Sequence, residues 1–196
     1  MRLDLTLIKP WIKPGARVLD LGCGDGTLLK MLADEKQVSG LGLEIDPDNI
    51  TTALHKGVNV IEHDLNTGLG DFRDDSFDVV VMTLALQTLR YPHLVIEEML
   101  RVGRECIVTF PNFGHWRSRW HLSRHGRMPV SKFLPYTWYD TPNIHFCTVK
   151  DFEVLCQDMN IRILHSSVIN GENRHGGLAR RFPNLLGVTA VYHISK

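Results

Sequence analysis

The strongest constraint on the fold is a glycine-rich turn between a buried strand and a helix. A run typical of a buried strand at residues 18–21 leads into Gly22, Gly24 and Gly26, and a helical pattern follows at residues 27–35. Glycine at such a junction lets the backbone adopt positive φ and approach a ligand closely. The turn therefore predicts a ligand site at the end of the first strand, with a purely structural glycine turn as the alternative.

Acidic side chains beside this turn indicate which ligands it can accept. Asp20 lies two residues before Gly22, and Asp25 lies between the last two glycines. Dinucleotide-binding turns have the spacing Gly-x-Gly-x-x-Gly, and both carboxylates would repel a pyrophosphate. The sequence disfavours an NAD enzyme for these two reasons. Asp20 instead favours a ligand that carries a cationic amine.

Strands alternate with helices along most of the chain. This alternation predicts βαβ units and a mostly parallel sheet of the α/β class. The last two strands could form a hairpin, which would make one of them antiparallel. Strands are predicted at residues 18–21, 38–45, 58–61, 77–82, 106–110, 161–168 and 187–194, and helices at 3–12, 27–35, 46–55, 93–102 and 149–159.

Composition and hydropathy exclude several classes of protein. The chain has 196 residues, 43% hydrophobic and 22% charged, a balance typical of a globular domain and not of collagen or disordered chains. Its longest stretch without Lys, Arg, Asp or Glu has 14 residues, 182–195, whereas a membrane-spanning helix needs about 20. Lys9 comes too early for the apolar region of a signal peptide. Four widely spaced cysteines favour reduced thiols, so we expect a cytoplasmic protein with no membrane partner and no metal site.

The net charge is zero, but the charges are unevenly distributed. Residues 1–105 carry 11 basic and 17 acidic side chains, and residues 106–196 carry 11 basic and 5 acidic ones. No acidic residue occurs between Cys106 and Tyr139. Because nucleic-acid-binding proteins usually have a basic domain, we expect no nucleic-acid partner. The second half favours a local site for an anion or for an acidic partner.

A long segment, residues 111–148, interrupts the alternation of strands and helices. It is too long for an ordinary connection, and it would leave the fifth strand at the ligand edge of the sheet, where it could act as a lid. We call this segment the insert and expect a single domain, residues 1–196, that carries it as a cap. Its tryptophans and arginines are typical of protein interfaces. A packed cap, a partner interface and an anionic substrate pocket are the alternatives for its role.

Few side chains qualify as catalytic or metal-binding groups. His121 and His125 would share one face of a helix, but no carboxylate or thiol lies near them in the sequence to complete a metal site. His115 and Tyr139 are weak candidates for a general base, and the loop at residues 170–181 would leave the sixth strand at the ligand edge. The sequence therefore assigns no catalytic residue.

Two further acids follow the second and third strands. Glu44 ends the second strand, 20 residues after Gly24, where a carboxylate can accept hydrogen bonds from both hydroxyls of a ribose. Asp64 follows the third strand, where a carboxylate can accept the amino group of an adenine. Each acid alone could be a solvated strand end. Together with Asp20 they predict a nucleoside site at the carboxyl edge of three consecutive strands.

Residues 15–110 resemble the class I S-adenosylmethionine-dependent methyltransferases. The resemblance is carried by the glycine turn at residues 18–26, by Glu44 and Asp64, and by the run Phe77-Asp78-Val79-Val80-Val81. It implies a three-layer, Rossmann-like α/β fold with a seven-stranded, mostly parallel sheet whose last strand is antiparallel. It also implies S-adenosylmethionine, or its product S-adenosylhomocysteine, as the cofactor.

The resemblance also assigns roles in cofactor binding. Asp20 would hold the methionine amine, Ile45 would pack on the adenine, and Thr83 would offer backbone groups to the methionine end together with Leu84. The full set of residues that it assigns to the cofactor is Asp20, Gly22, Cys23, Gly24, Glu44, Ile45, Asp64, Leu65, Thr83 and Leu84.

A narrower resemblance extends over nearly the whole chain. Residues 79–87, 101–104, 109–117, 126–129 and 138–145 are similar to the MetW proteins of bacterial methionine biosynthesis. This resemblance implies a role beside the homoserine O-acyltransferase, of the MetX type, that makes O-acetyl- or O-succinyl-homoserine. It brings no methyl acceptor with it. The alternative function is S-adenosylmethionine-dependent methylation of a small molecule.

Overall fold

The computed structural model describes residues 3–131, 134–170 and 177–196. A seven-stranded sheet runs through this part of the chain, and helices cover both of its faces. The strands are β1 (Arg17–Leu21), β2 (Ser39–Glu44), β3 (Val60–Glu62), β4 (Phe77–Thr83), β5 (Gly103–Pro111), β6 (Arg162–Ile169) and β7 (Thr189–Ser195). The α-helices are α1 (Leu3–Ile8), α2 (Thr27–Lys36), α3 (Pro47–His55), α4 (Pro92–Val102), α5 (Trp116–His125), α6 (Val149–Asp158), α7 (Gly177–Arg181) and α8 (Pro183–Leu186).

The order of strands in the sheet is β3-β2-β1-β4-β5-β7-β6. The first five strands in this order pair in parallel with one another. Strand β7 is antiparallel to both of its neighbours, β5 and β6. The direction of strand succession reverses between β1 and β4, and ligands of open α/β sheets bind at such a switch point. The predicted three-layer α/β fold, with a seven-stranded sheet whose last strand is antiparallel, is confirmed.

The central strand β4 shows why this sequence forms a sheet with two covered faces. Val80 and Met82 pack into an apolar cluster with α4 and α6, whereas Val79 and Val81 pack into a second cluster with the helices of the other face. An unbroken apolar run is what a strand buried on both sides requires. Burial of each such side chain stabilises the fold by about 1.5–3 kcal/mol.

Two boundaries differ from the sequence predictions by three residues or more. The predicted first helix, residues 3–12, ends as an α-helix at Ile8 and continues as a 3-10 turn at Lys9–Trp11. Pro10 lies in this turn and has no N–H to donate to the helix. Strand β5 begins three residues earlier than predicted, because Gly103 pairs with Phe77 of β4.

The predicted loop at residues 170–181 is shorter than expected. The helix α7 begins at Gly177, and α8 follows it before β7. Residues 171–176 of this predicted loop lie outside the described residues.

The insert contains the helix α5, which starts five residues after the end of β5. The helix brings the rings of His121 and His125 to a centroid distance of 4.6 Å, so the predicted shared face is confirmed. In the described ranges no group of three His, Cys, Asp or Glu side chains is placed to hold a metal ion. None of the helices described above is both long enough and apolar enough to cross a bilayer. That the whole chain is one domain with the insert as its cap stays a prediction.

Candidate functional site

The glycine turn after β1 has a left-handed backbone at each glycine. The φ angles of Gly22, Gly24 and Gly26 are 69°, 56° and 73°. The turn is held against the end of β2, because the N–H groups of Gly22 and Cys23 both donate to the carbonyl of Leu43, at 2.8 and 3.0 Å. L-residues with side chains rarely adopt these angles, so the sequence needs glycine here.

The glycines differ in what surrounds them. A β-carbon on Gly26 would lie 3.0 Å from Ala53 and 3.1 Å from Val58, so this glycine allows close packing against α3 and the chain that follows it. A β-carbon on Gly24 would meet no atom within 4 Å. The space beside Gly24 is therefore free for a ligand to approach the backbone.

The carboxylate of Glu44 joins β2 to this turn. One oxygen, Oε2, accepts a hydrogen bond from the N–H of Gly24 at 2.7 Å, and Oε1 accepts from the N–H groups of Ile45 and Asp46 at 2.9 and 3.0 Å. The residue is 8% exposed. A carboxylate has about four acceptor directions, so these three bonds leave about one for a ligand donor. The predicted acid is at the edge of the sheet, but it also shapes the glycine turn.

Cys23 fills the inner side of the turn. Its side chain is buried, and its sulfur occupies the space that a β-carbon on Gly42 of β2 would need. Burial raises the pKa of this thiol to about 12, and the charges of Asp20 and Glu44 add to the shift. A thiol with such a pKa is protonated at neutral pH and is a poor nucleophile. In this structure Cys23 therefore packs the turn against β2.

The ends of β2 and β3 present one apolar and one acidic side chain to solvent. Ile45 follows Glu44 and is 58% exposed, which is unusual for an isoleucine beside a buried strand end. Asp64 is exposed and caps a 3-10 turn, where its Oδ1 accepts from the N–H of Asn66 at 2.9 Å. This bond lowers the pKa of Asp64, so the group is ionised at neutral pH. Leu65, the next residue, is buried in the core.

The end of β4 closes the other side of the turn. Thr83 is buried, and Leu84 has a φ of 57°, a conformation uncommon for a residue with a side chain. The N–H of Leu84 donates to the carbonyl of Thr109 at 2.9 Å, which holds the strained residue in place. A β-carbon on Gly22 would lie 3.2 Å from that of Ala85, so the glycine turn and the end of β4 are in contact. Strained backbone of this kind is frequent at ligand sites.

Asp20 and Asp25 have different roles in the structure. Asp20 lies near the carboxyl end of the inner strand β1, between Gly42 of β2 and Val81 of β4, and is 1% exposed. Asp25 forms a hydrogen-bonded ion pair with Lys56, which lowers the pKa of its carboxyl group. Asp20 therefore remains a candidate for the ligand site, and Asp25 connects the turn to the end of α3.

Gln87 is a candidate that sequence reasoning did not single out. Its side chain is 6% exposed, and its Nε2 donates to the carbonyl of Leu84 at 2.7 Å. Its Oε1 is buried and has no hydrogen-bond partner in the described structure. Its backbone carbonyl accepts from Ile144 and His145 at 2.9 and 3.1 Å, which connects the end of β4 to the insert. A buried acceptor of this kind suits the amine of a ligand.

Two of the weaker candidates have structural partners in the insert. Nδ1 of His115 accepts from the N–H of Arg117 at 3.3 Å, so this histidine caps α5. Burial, with the charge of Arg117, lowers the pKa of His115. Tyr139 is 73% exposed and packs edge-on against Trp138. In the described residues no hydrogen bond or ion pair brings either side chain to the glycine turn.

Comparison with known proteins assigns the chain to a family. The family model described as methionine biosynthesis protein MetW matches residues 2–194. The chain belongs to the MetW family. This confirms the resemblance that the sequence motifs carry, and it covers the insert as well as the sheet.

Individual relatives agree with membership of the MetW family. A bifunctional methionine biosynthesis protein MetXA/MetW from Rhodopirellula baltica is 37% identical over 172 residues, which are 83% of this chain and 28% of that protein. A demethylmenaquinone methyltransferase from Renibacterium salmoninarum is 31% identical over 116 residues, 54% of this chain and 46% of that protein. The chain thus spans less than half the length of either relative.

Solved structures support the fold of this MetW-family chain. An S-adenosylmethionine-dependent methyltransferase from Mesorhizobium loti aligns with a TM-score of 0.73 at 16% identity, and the alignment covers 100% of this chain and 98% of that structure. The likeness shows that the MetW-family chain has the methyltransferase fold, with its switch point between β1 and β4.

Proposed function

We propose that this chain binds S-adenosylmethionine at the carboxyl edge of β1, β2 and β4 and acts as an accessory subunit of a MetX-type homoserine O-acyltransferase. The observation that carries this proposal is the relative whose name joins MetXA and MetW in one polypeptide. Fusion gives two modules a high effective concentration, which is useful when they act together. The acyl group that the partner transfers is either acetyl or succinyl.

The nucleoside half of the ligand fits the ends of β2 and β3. We assign one ribose hydroxyl to the remaining acceptor direction of Glu44, next to the backbone of Gly24. The exposed side chain of Ile45 offers an apolar surface to the adenine, and the ionised carboxylate of Asp64 can accept its amino group. Leu65 supports this region from the core.

The methionine half fits the ends of β1 and β4. The carboxylate of Asp20 and the buried Oε1 of Gln87 are acceptors suited to the amine. The strained backbone at Leu84, beside Thr83, faces the glycine turn through the contact of Gly22 with Ala85. When bound, S-adenosylmethionine supplies a methyl group on a positively charged sulfur, which the acidic side chains near the turn favour.

The proposed compartment and partners follow from the same features. All four cysteines are free thiols, which is compatible with the reducing conditions of the cytoplasm. We propose a protein partner and no nucleic-acid or membrane partner, because the first half of the chain has a net negative charge.

Methylation of a small molecule is the second candidate. The glycine turn and its hydrogen bond to Glu44 favour this function. An accessory protein needs such a cofactor site only if the cofactor regulates it. Methyl transfer needs mainly positioning of the reactants and at most one general base. Replacement of Glu44 by alanine should abolish any methyl transfer found. Unchanged turnover in that variant would count against this site.

Two binding measurements test the proposal. Calorimetric titration with S-adenosylmethionine should give a saturable heat at one site per chain. Size-exclusion chromatography with light scattering should show a complex between this chain and its cognate acyltransferase. Absence of the complex would overturn the accessory role, and absence of the heat would overturn the cofactor site.

A further inference from the structure

The insert has almost no core of its own. Among the described residues 115–131 and 134–146, only Pro129 is buried. Helix α5 contains no buried residue, although surface helices usually bury an apolar stripe against the protein. A ten-residue helix is marginal by itself in water, so tertiary contacts normally stabilise it. Helix α5 therefore exposes apolar side chains that a surface helix would ordinarily bury against the protein.

Large aromatic side chains of the insert are exposed. The exposed fractions of Trp116, Trp120, Trp138 and Tyr139 are 44%, 63%, 74% and 73%. Trp116 and Trp120 are four residues apart on α5 and therefore share one face of the helix. Exposed apolar side chains grouped in this way mark interaction sites. Tryptophan and tyrosine are also the side chains that dominate binding energy at interfaces.

The charged side chains of α5 itself are all basic. The guanidinium of Arg117 lies over the ring of Trp116, at 5.4 Å from its centroid. Arg119, Arg124 and Arg127 follow in the same segment, and no acidic residue occurs between positions 106 and 139. A surface of this composition complements a partner surface that is acidic at its rim and apolar at its centre.

Hydrogen bonds fix the start of the insert. Asn112 is 3% exposed, and its Nδ2 donates to the carbonyls of Asn184 and Gly187 at 3.0 and 2.7 Å. Its Oδ1 accepts from the N–H groups of Gly114 and Val149 at 3.0 and 3.3 Å. The first residues of the insert are therefore held against α6 and α8.

The end of the insert is held as well. The N–H groups of Ile144 and His145 donate to the carbonyl of Gln87, and the N–H of Phe113 donates to the carbonyl of Cys147 at 3.0 Å. Both ends are fixed by buried or backbone groups, while the rings between them are exposed. A surface held in this way loses little conformational freedom on binding, which favours affinity.

We propose that the outer face of the insert, centred on α5, is the docking surface for an acidic face of the acyltransferase. This inference rests on the proposed function and adds the location and chemistry of the interface. The relative that joins MetXA and MetW in one polypeptide favours the acyltransferase as the occupant over a second copy of this chain or a nucleic acid.

Four single variants test the docking surface by titration against the cognate acyltransferase. Trp120→Ser removes an exposed ring, and Arg124→Glu reverses a charge on the same helix. The matched controls are Val154→Ser, at a residue 52% exposed on α6, and Arg73→Glu, at an exposed arginine in the acidic half. All four positions are exposed, so the thermal midpoints should remain near that of the wild type.

We expect Trp120→Ser and Arg124→Glu each to weaken the complex about 30-fold or more, as loss of an interface hot spot does. The two controls should bind like the wild type, and added salt should weaken the wild-type complex. Wild-type affinity in both insert variants would overturn the docking surface and leave the accessory role intact. Absence of any wild-type complex would instead overturn the accessory role.

The other occupants have their own signatures. Self-association of the chain alone that is lost in Trp120→Ser would assign the surface to a second copy and overturn the proposal. Tight binding of a 20-nucleotide RNA that is lost in Arg124→Glu would do the same. The acyltransferase is supported as the occupant if the wild-type protein neither self-associates nor binds RNA and both insert variants bind the acyltransferase more weakly.

Discussion

The replacement Glu44→Gln tests how the ligand edge is built. The carboxylate of Glu44 accepts three backbone N–H groups, two at Oε1 and one at Oε2. An amide has the same shape but only one acceptor oxygen. If that oxygen keeps the bonds of Ile45 and Asp46, the amide NH₂ must face the N–H of Gly24. The bond of 2.7 Å between the turn and β2 is then lost.

The size of the effect follows from that bond. A buried hydrogen bond to a charged group contributes about 1.5–3 kcal/mol, so we expect a loss of about 2 kcal/mol in the free energy of unfolding. For a chain of this length the thermal midpoint should fall by about 4–8 °C. If the same carboxylate also binds the ribose, S-adenosylmethionine should bind about 10- to 150-fold more weakly.

Glu62→Gln is the matched control. Glu62 ends β3 in register with Glu44, and its side chain is exposed. Thermal unfolding followed by circular dichroism and calorimetric titration with S-adenosylmethionine should show losses in Glu44→Gln and none in Glu62→Gln. Equal stability and affinity in both variants would refute the role given to Glu44.

Three further predictions concern the turn, the thiols and the pH dependence. Gly26→Ala should lower the thermal midpoint more than Gly24→Ala, because only the former crowds Ala53 and Val58 in addition to straining the backbone. Gly24→Ala should chiefly weaken binding of S-adenosylmethionine, and equal midpoints would contradict this prediction. Cys23 should react with iodoacetamide at pH 8 far more slowly in the native protein than in urea, because its pKa is about 12; equal rates would show that the thiol is not buried. Burial lowers the pKa of His193 below its ordinary 6.5, against the opposing effect of Glu105, so the unfolded chain takes up the proton first as the pH falls. The urea midpoint should therefore decrease as the pH falls below about 6.5, and His193→Gln should flatten that decrease; an unchanged slope in the variant would contradict the assignment.

Local sequence signals predicted the parts of the structure that depend on neighbouring residues. The glycine turn has the left-handed angles that its three glycines permit. The helix predicted at residues 46–55 begins where expected, because Asp46 caps α3 through the N–H groups of Asp48 and Asn49 and Pro47 occupies the first turn. The strand predicted at residues 77–82 is present as β4, and its continuous apolar run is covered on both faces.

These local signals could not predict contacts between residues that are far apart in the chain. Gln87 is buried because the end of β4 meets the insert, and its role depends on contacts with residues 57 and 58 positions away in the chain. Asn112 holds α8 through partners 72 and 75 positions away. The exposure of Trp120 could not be inferred either, since tryptophan in a sequence usually indicates a core position. Composition predicted an interface as one alternative for the insert, but only the structure shows which rings are exposed.

The activity of the cognate homoserine O-acyltransferase is the most direct test of the proposed function. It should be measured with and without this protein, and in each case with and without S-adenosylmethionine, with Glu44→Gln as a further arm. We expect activity to rise when the protein is added, and S-adenosylmethionine to change that activity only when the wild-type protein is present. Equal acyltransferase activity in every arm would contradict the accessory role.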